Sequence, residues 1–118
     1  YSIFQFQKNH NDTQILSVQK LMEENFQKSH PYEELASRFG MSRRTFERRF
    51  KAATGDTPLV YLQRVRVEAA KNMVETQSLS FDEIAYRVGY EDTNAFRKIF
   101  LKQTGLRPTE YKRRFQRI

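Results

Sequence analysis

The chain has 118 residues, with 21 Lys and Arg against 14 Asp and Glu, a formal charge of +7 and a sequence pI of about 9.9, the balance expected of a polyanion binder. It contains no cysteine, which excludes disulfides and thiolate metal sites, and no apolar run approaches the ~20 residues of a membrane span. Its length fits one domain, or two small lobes sharing an element.

The charge is uneven. In residues 1–30, Lys8, Lys20 and Lys28 offset Asp12, Glu23 and Glu24, so the whole excess falls in residues 31–118. No signal peptide is visible, and the absence of cysteine suits a reducing cytoplasm. A start at Tyr1 rather than Met reads as a piece of something longer.

Residues 1–11 have no helical period, yet Ile3, Phe4 and Phe6 are too apolar for a free tail. Asp12 or Thr13 can cap a first helix, whose stripe of Ile15, Leu16, Val18, Leu21, Met22 and Phe26 runs to about Lys28. Pro31 opens a second helix at its first position. Leu35, Ala36 and Phe39 form its inner face and Gly40 closes it. Ser42 caps a third helix over residues 43–54, ended by Gly55. Thr57 caps a fourth, opened by Pro58, whose apolar positions Leu62, Val65, Ala69, Ala70, Met73 and Val74 carry it to about Thr76. Arg66 lies near that apolar side and reads as structural, paired with a carboxylate, because an uncompensated buried charge is costly. Ser80 and Glu83 have capping-box spacing for a fifth helix, and Asp92 caps a sixth.

From residue 83 the chain repeats itself. Glu34-Leu35-Ala36-x-Arg38-x-Gly40 recurs as Glu83-Ile84-Ala85-x-Arg87-x-Gly89 at an offset of 49. Phe46-x-x-x-Phe50 recurs as Phe96-x-x-x-Phe100, and Thr54-Gly55-x-x-Pro58-x-x-Tyr61 as Thr104-Gly105-x-x-Pro108-x-x-Tyr111, both at an offset of 50. A repeat of this length means one supersecondary unit built twice. Each unit is too small to bury much core alone, so the fourth helix is expected to lend an apolar face to both. The expected fold is all-α, about seven helices.

Residues 43–51 carry five basic groups against one acid. At 100° per residue, Phe46, Phe50 and Ala53 share one side of the third helix, while Arg44, Arg48 and Lys51 take the other with Glu47 at their edge. A short helix, a glycine turn and a helix pinned by apolar residues with a basic outer face describe a helix-turn-helix whose second helix enters a DNA major groove.

The pattern Leu35-Ala36, Ser42-x-x-x-Phe46-x-Arg48-x-Phe50-Lys51, Gly55-x-x-Pro58-x-x-Tyr61, Arg66-x-x-x-Ala70, Ile84-Ala85, Gly89-Tyr90, Phe96-x-x-x-Phe100 and Gly105-x-x-Pro108-x-x-Tyr111 resembles the DNA-binding domain of the AraC/XylS transcription regulators, over roughly residues 12–115. The resemblance implies two helix-turn-helix subdomains, residues 12–57 and 77–118, joined by a linker helix over 58–76. Residues 1–11 would be a linker from a missing upstream domain. It also implies bacterial, cytoplasmic, nucleoid-associated transcription control, usually activation, with RNA polymerase as a further partner. Dimerisation and effector sensing would belong to the missing domain. The Arg48-Arg49-Phe50 version looks most like members whose sensor has a glutamine-amidotransferase-like fold. Three positions depart from the pattern: Tyr90 stands where Phe is usual, Leu101 replaces a basic residue, and Arg107 rather than Ser or Thr precedes Pro108, leaving the last helix without a side-chain cap.

Base edges specify and phosphates position. In the first recognition helix, about 43–54, the outward Arg44 and Arg48 suit guanine O6/N7, and Glu47 either accepts from cytosine N4 or pairs with Arg43 or Lys51. The resemblance implies base reading at these same three positions. In the second helix, about 93–104, Asn94 can take adenine N6/N7, Arg97 or Lys98 can take guanine, and Leu101 reads as simply exposed. Phosphate contacts fall to Arg43, Thr45, Lys51, Thr93 and Lys102. The basic run Lys112-Arg113-Arg114-Phe115-Gln116-Arg117 is expected to add diffuse phosphate attraction from a solvated helix end. His10 and His30 have no constellation around them, so catalysis, metal and cofactor are not expected. The narrow apolar faces look committed to a core, which argues against a membrane-surface module.

Overall fold

Side-chain caps start most of the helices in the computed structural model of the chain, which describes residues 8–117. Asp12 accepts from the Ile15 N–H at the start of α1 (Thr13–Glu24). A short α2 (Tyr32–Arg38) follows. Ser42 accepts from the Thr45 N–H to start α3 (Arg43–Thr54), and Thr57 caps α4 (Pro58–Thr76). Ser80 caps α5 (Phe81–Arg87), Asp92 caps α6 (Thr93–Thr104), and Pro108 opens α7 (Pro108–Phe115). These seven helices, with no strand among the described residues, make the all-α fold expected of the pattern. Gly55 and Gly105 end α3 and α6 in the left-handed conformation, at φ 84° and 76°.

Three expectations at the helix ends need correcting, while α7 lacks a side-chain cap at Arg107 as expected. α1 stops at Glu24, not near Lys28: Asn25 leaves the helix at φ −131°, and both its N–H and its Nδ2 donate to Leu21 O. Phe26 therefore sits beyond the helix although it falls on the helical stripe. Pro31 is the residue before α2 rather than its first residue; it is extended at ψ 133°, and its carbonyl accepts from the Leu35 N–H at 3.1 Å. Ser80 Oγ accepts from the Glu83 N–H at 3.1 Å, but the Glu83 carboxylate bonds to Arg87 at 3.4 Å rather than back to Ser80, so only half of that capping box forms. At α7 the half that forms is the opposite one: Glu110 accepts from the Arg107 N–H at 3.1 Å. The apolar Ile3, Phe4 and Phe6 lie outside the described residues.

Two cores form, one in each half. The first gathers Ile15, Val18 and Met22 of α1, Leu35 and Ala36 of α2, Phe46 and Phe50 of α3, and Tyr61, Leu62 and Val65 of α4. The second gathers Val67, Ala70 and Val74 of α4, Ile84 and Ala85 of α5, Phe96 and Phe100 of α6, and Tyr111 of α7. Thus α4 walls both, its front half serving the first core and its back half the second, as expected of units too small to close alone. Phe26, in the turn after α1, packs against both.

The duplication runs deeper than the sequence motifs. Thr54 Oγ1 lies 2.8 Å from Phe50 O and 3.0 Å from Asp56 O and accepts from the Asp56 N–H at 3.1 Å. Thr104 repeats all three distances with Phe100 O, Leu106 O and Leu106 N–H. The Tyr61 hydroxyl donates to Glu23 at 2.7 Å, and the Tyr111 hydroxyl donates to Glu75. Burial and the neighbouring carboxylate push both phenols well above the usual tyrosine range. Ile15, Val18, Met22 and Glu23 of α1 therefore correspond to Val67, Ala70, Val74 and Glu75 of α4, at a constant offset of 52. α1 is to the first core what the back half of α4 is to the second. The front half of α4, with Pro58 and Tyr61, corresponds to α7.

Candidate nucleic-acid interface

The rotation of α3 about its axis is fixed by two phenylalanines. Phe46 and Phe50 are fully buried, with ring centroids 6.2 Å from Tyr32 and 5.2 Å from Tyr61 respectively. With these turned inward, Arg44, Arg48 and Lys51 are left exposed on the far side. In α6 the buried Phe96 and Phe100 do the same. Phe81 lies 5.5 and 5.3 Å from them, and Tyr111 lies 5.4 Å from Phe100. Tyr90, the departure from the family pattern, stacks on Phe96 at 4.6 Å. Asn94, Arg97, Lys98, Leu101 and Lys102 are exposed, and Thr93 is half-buried.

Exposure alone does not distinguish these residues, but their partners do. Among the described residues no hydrogen bond or ion pair engages the side chains of Arg44, Arg48, Lys51, Asn94, Lys98 or Lys102. Four of the other expected contact residues, Arg43, Glu47, Arg97 and Thr45, are already occupied. Arg43 Nε donates to Glu47 at 3.0 Å, its Nη1 reaches Glu33 at 3.4 Å, and the guanidinium lies 5.2 Å from the Tyr32 ring centroid. Glu47 therefore adopts the i,i+4 pairing weighed for it. Arg97 donates to Asp82 at 3.2 Å and lies 5.4 Å from the Phe81 centroid. Thr45 Oγ1 takes the Ser42 hydroxyl at 3.0 Å. Exposed pairs of this kind contribute about 0–1 kcal/mol, so Arg43 and Arg97 can exchange them for a phosphate or a base at little cost.

Three basic residues have roles that differ from their sequence reading. Arg49, counted in the basic run of α3, faces away from the exposed side. Its Nε and Nη2 hold both Asp12 carboxylate oxygens at 3.0 and 2.7 Å, and Nη1 donates to Gln14 at 2.9 Å. Arg66 is structural as expected, but its partners are not a carboxylate: Nε donates to Phe26 O at 2.7 Å and Nη2 to Lys28 O at 3.0 Å. Arg117 is not part of a frayed end; its backbone N–H donates to Glu75 O at 2.9 Å and its Nη2 to Glu75 Oε1 at 2.8 Å. The other surprise is Gln19, fully buried in α1. It sits between His10 at 2.8 Å and the Tyr61 hydroxyl at 3.1 Å, and so ties the segment before α1 to α4.

The Asp12–Arg49 pair fixes α3 against the start of α1, and it gives the protein an acid limb. The bonds from Arg49 are the main reason the Asp12 carboxyl titrates below its ordinary value. A depressed carboxyl contributes stability above its unfolded value of about 3.9, and that contribution is lost as pH falls through the lower folded value. Asp12→Ala should therefore cost about 1 kcal/mol at pH 7 as a lost helix cap. It should also flatten the decline in urea-unfolding stability below about pH 4; an unchanged decline would assign the acid limb elsewhere.

Among the described residues no group of His, Cys, Asp and Glu is placed to hold a metal ion, and no helix is long and apolar enough to cross a membrane.

Residues 35–114, more than half of the chain, match the family model described as a helix-turn-helix domain. The chain is 34% identical over 100 residues to the HTH-type transcriptional activator RhaS of Salmonella schwarzengrund (strain CVM19633). That match covers 85% of this chain and 36% of RhaS, so the chain spans about a third of the curated relatives it matches. Among solved structures it resembles the DNA-binding domain of AdpA, a global transcriptional factor, in complex with a target DNA: 38% identity, TM-score 0.81, covering 86% of this chain and 91% of that one. The C-terminal domain of the two-component response regulator yesN from Fusobacterium nucleatum is similar at 30% identity and TM-score 0.77, covering 82% and 95%.

Proposed function

We propose a reading whose premise is the family: this chain belongs to the AraC-family helix-turn-helix DNA-binding domains. The family is one of sequence-specific DNA-binding transcription regulators, not of enzymes. In the proposed complex, α3 and α6 enter successive major grooves of one duplex. The observation that carries this reading is the pairing of unengaged polar side chains one helical turn apart, Arg44 with Arg48 and Asn94 with Lys98, on two phenylalanine-anchored helices of a duplicated unit. Arg44 and Arg48 take guanine bidentately, Asn94 takes adenine, and Lys98 takes guanine. Glu47 and Arg97 join them after giving up their exposed partners. Arg43, Thr45, Lys51, Thr93 and Lys102 hold phosphates. The 19 residues of α4 span ~28 Å, close to the ~34 Å between major-groove entries on one side of B-DNA, so one chain covers an asymmetric site of about two turns.

The division into a linker up to residue 11, lobes over 12–57 and 77–118, and a joining helix over 58–76 is part of the same proposal. So is activation in a bacterial cytoplasm, on the nucleoid, through RNA polymerase; RhaS is named an activator. An upstream domain of the glutamine-amidotransferase-like sensor kind would, on this proposal, supply effector response and any dimerisation.

Selection of bound duplexes from a random pool, followed by DNase footprinting, tests the central claim. Protection over two adjacent turns is expected; protection confined to one groove would contradict it. Arg44→Ala and Arg48→Ala should each weaken specific binding by ~1–3 kcal/mol and relax selectivity at one base pair. Lys51→Ala should weaken all sequences alike and lower the salt slope by about one. Equal losses on specific and random DNA for the arginines would make them phosphate contacts.

A further inference from the structure

The two lobes share α4, but a shared helix alone does not fix the angle between them, because long helices bend. A second connection lies beside it. Arg66 leaves α4 close to the boundary between the two cores and reaches the turn that follows α1, donating to Phe26 O at 2.7 Å and Lys28 O at 3.0 Å. The same guanidinium lies 5.0 Å from the ring centroid of Tyr90, in the turn that precedes α6. Tyr90 in turn stacks on Phe96, the first anchor of α6, at 4.6 Å. The space around the guanidinium is full: a Cβ on Gly89 would stand 2.8 Å from Arg66 Nη2 and 2.9 Å from Gln27 O. Phe26, whose carbonyl Arg66 grips, packs against both cores.

We infer that Arg66 is a positioning residue that sets the distance and angle between the two recognition helices, and so selects the spacing of the two half-sites that one chain can bind. The chemistry suits a guanidinium. Its fork satisfies two carbonyls of one lobe in its own plane and leaves a face to lie against an aromatic ring of the other. An ammonium has no such plane. Holding the second lobe at the correct angle raises its effective concentration at the second groove once the first is engaged; a loosened joint lowers that concentration and accepts other spacings. The inference rests on the two-groove reading above.

The test uses the chain as it stands and a duplex carrying the selected bipartite site. Companion duplexes have one or two base pairs inserted or removed between the half-sites, or one half-site scrambled. Wild-type protein should show a sharp optimum in spacing by fluorescence anisotropy. Arg66→Ala should bind each single half-site within about twofold of wild type, lose roughly tenfold on the full site, and show a flattened spacing profile. Arg66→Lys should fall between the two. Tyr90→Leu, which keeps the carbonyl bonds and removes the ring, covers the case in which Arg66→Ala does not fold, and should also broaden the profile. Residual dipolar couplings on either variant should report a wider spread of lobe orientations. A folded variant with an unaltered spacing optimum overturns the inference, as does an equal loss on half-sites and full site. A wild-type chain with no spacing preference would instead overturn the two-groove reading itself.

Discussion

Replacing Phe100 with alanine is expected to cost about 3–5 kcal/mol, the range for large aromatic truncations in a core. The side chain is fully buried and ringed by other aromatics: Phe81 at 5.3 Å, Tyr111 at 5.4 Å and Phe96 at 6.3 Å. The rings belong to α5, α6 and α7, so the cavity left behind opens where three short helices meet, and none of them can move in to fill it without breaking its contact with α4. Because a small domain is stable by only about 5–15 kcal/mol, most of the margin of this half would go, and binding to DNA with it. Leu101→Ala, one position along and 41% exposed, is the control and should change stability by less than about 0.5 kcal/mol. Urea titration followed by circular dichroism reads both. A loss below about 1 kcal/mol at Phe100 would mean the second core is not built around it.

Gly89→Ala is expected to cost about 3 kcal/mol, for two reasons that add. Its φ of +110° lies where a side chain strains the backbone. A Cβ there would also meet Arg66 Nη2 at 2.8 Å and Gln27 O at 2.9 Å, and the second of these is backbone and cannot swing aside. Gly105→Ala supplies the comparison: at φ +76°, with nothing within 4 Å of the added carbon, it should cost only the ~1–2 kcal/mol of a left-handed residue. Thermal unfolding of the pair would separate strain from collision. Equal losses at the two positions would remove the collision from the explanation.

The helices were readable from residues 12 onward because their starts are chemically marked. Ser42, Thr57, Ser80 and Asp92 each accept a backbone N–H where a short polar side chain precedes an apolar period. The duplicated phenylalanine pairs located the two recognition helices and their outward faces. What escaped was long-range and polar. The grip of Arg49 on Asp12 joins residues 37 apart; helical period turns Arg49 away from Arg48, but nothing local names its partner. The acceptors of Arg66 are main-chain carbonyls, which carry no residue signature at all. Gln19 is a polar residue on a helix and reads as solvent-facing until Tyr61 and His10 are brought against it. The correspondence of α1 with the back of α4 was hidden because Ile15, Val18 and Met22 share hydrophobicity with Val67, Ala70 and Val74 but not identity.

The shared middle helix also bears on how the molecule fails. If the C-terminal half melts first, the front half of α4 keeps its place in the N-terminal core, while Val67, Ala70 and Val74 just beyond it lose the side chains that cover them. The half-melted species would present a greasy strip continuous with an ordered helix, ready to recruit the strip of another copy. Thermal inactivation should therefore steepen with protein concentration well before the N-terminal half loses its own order.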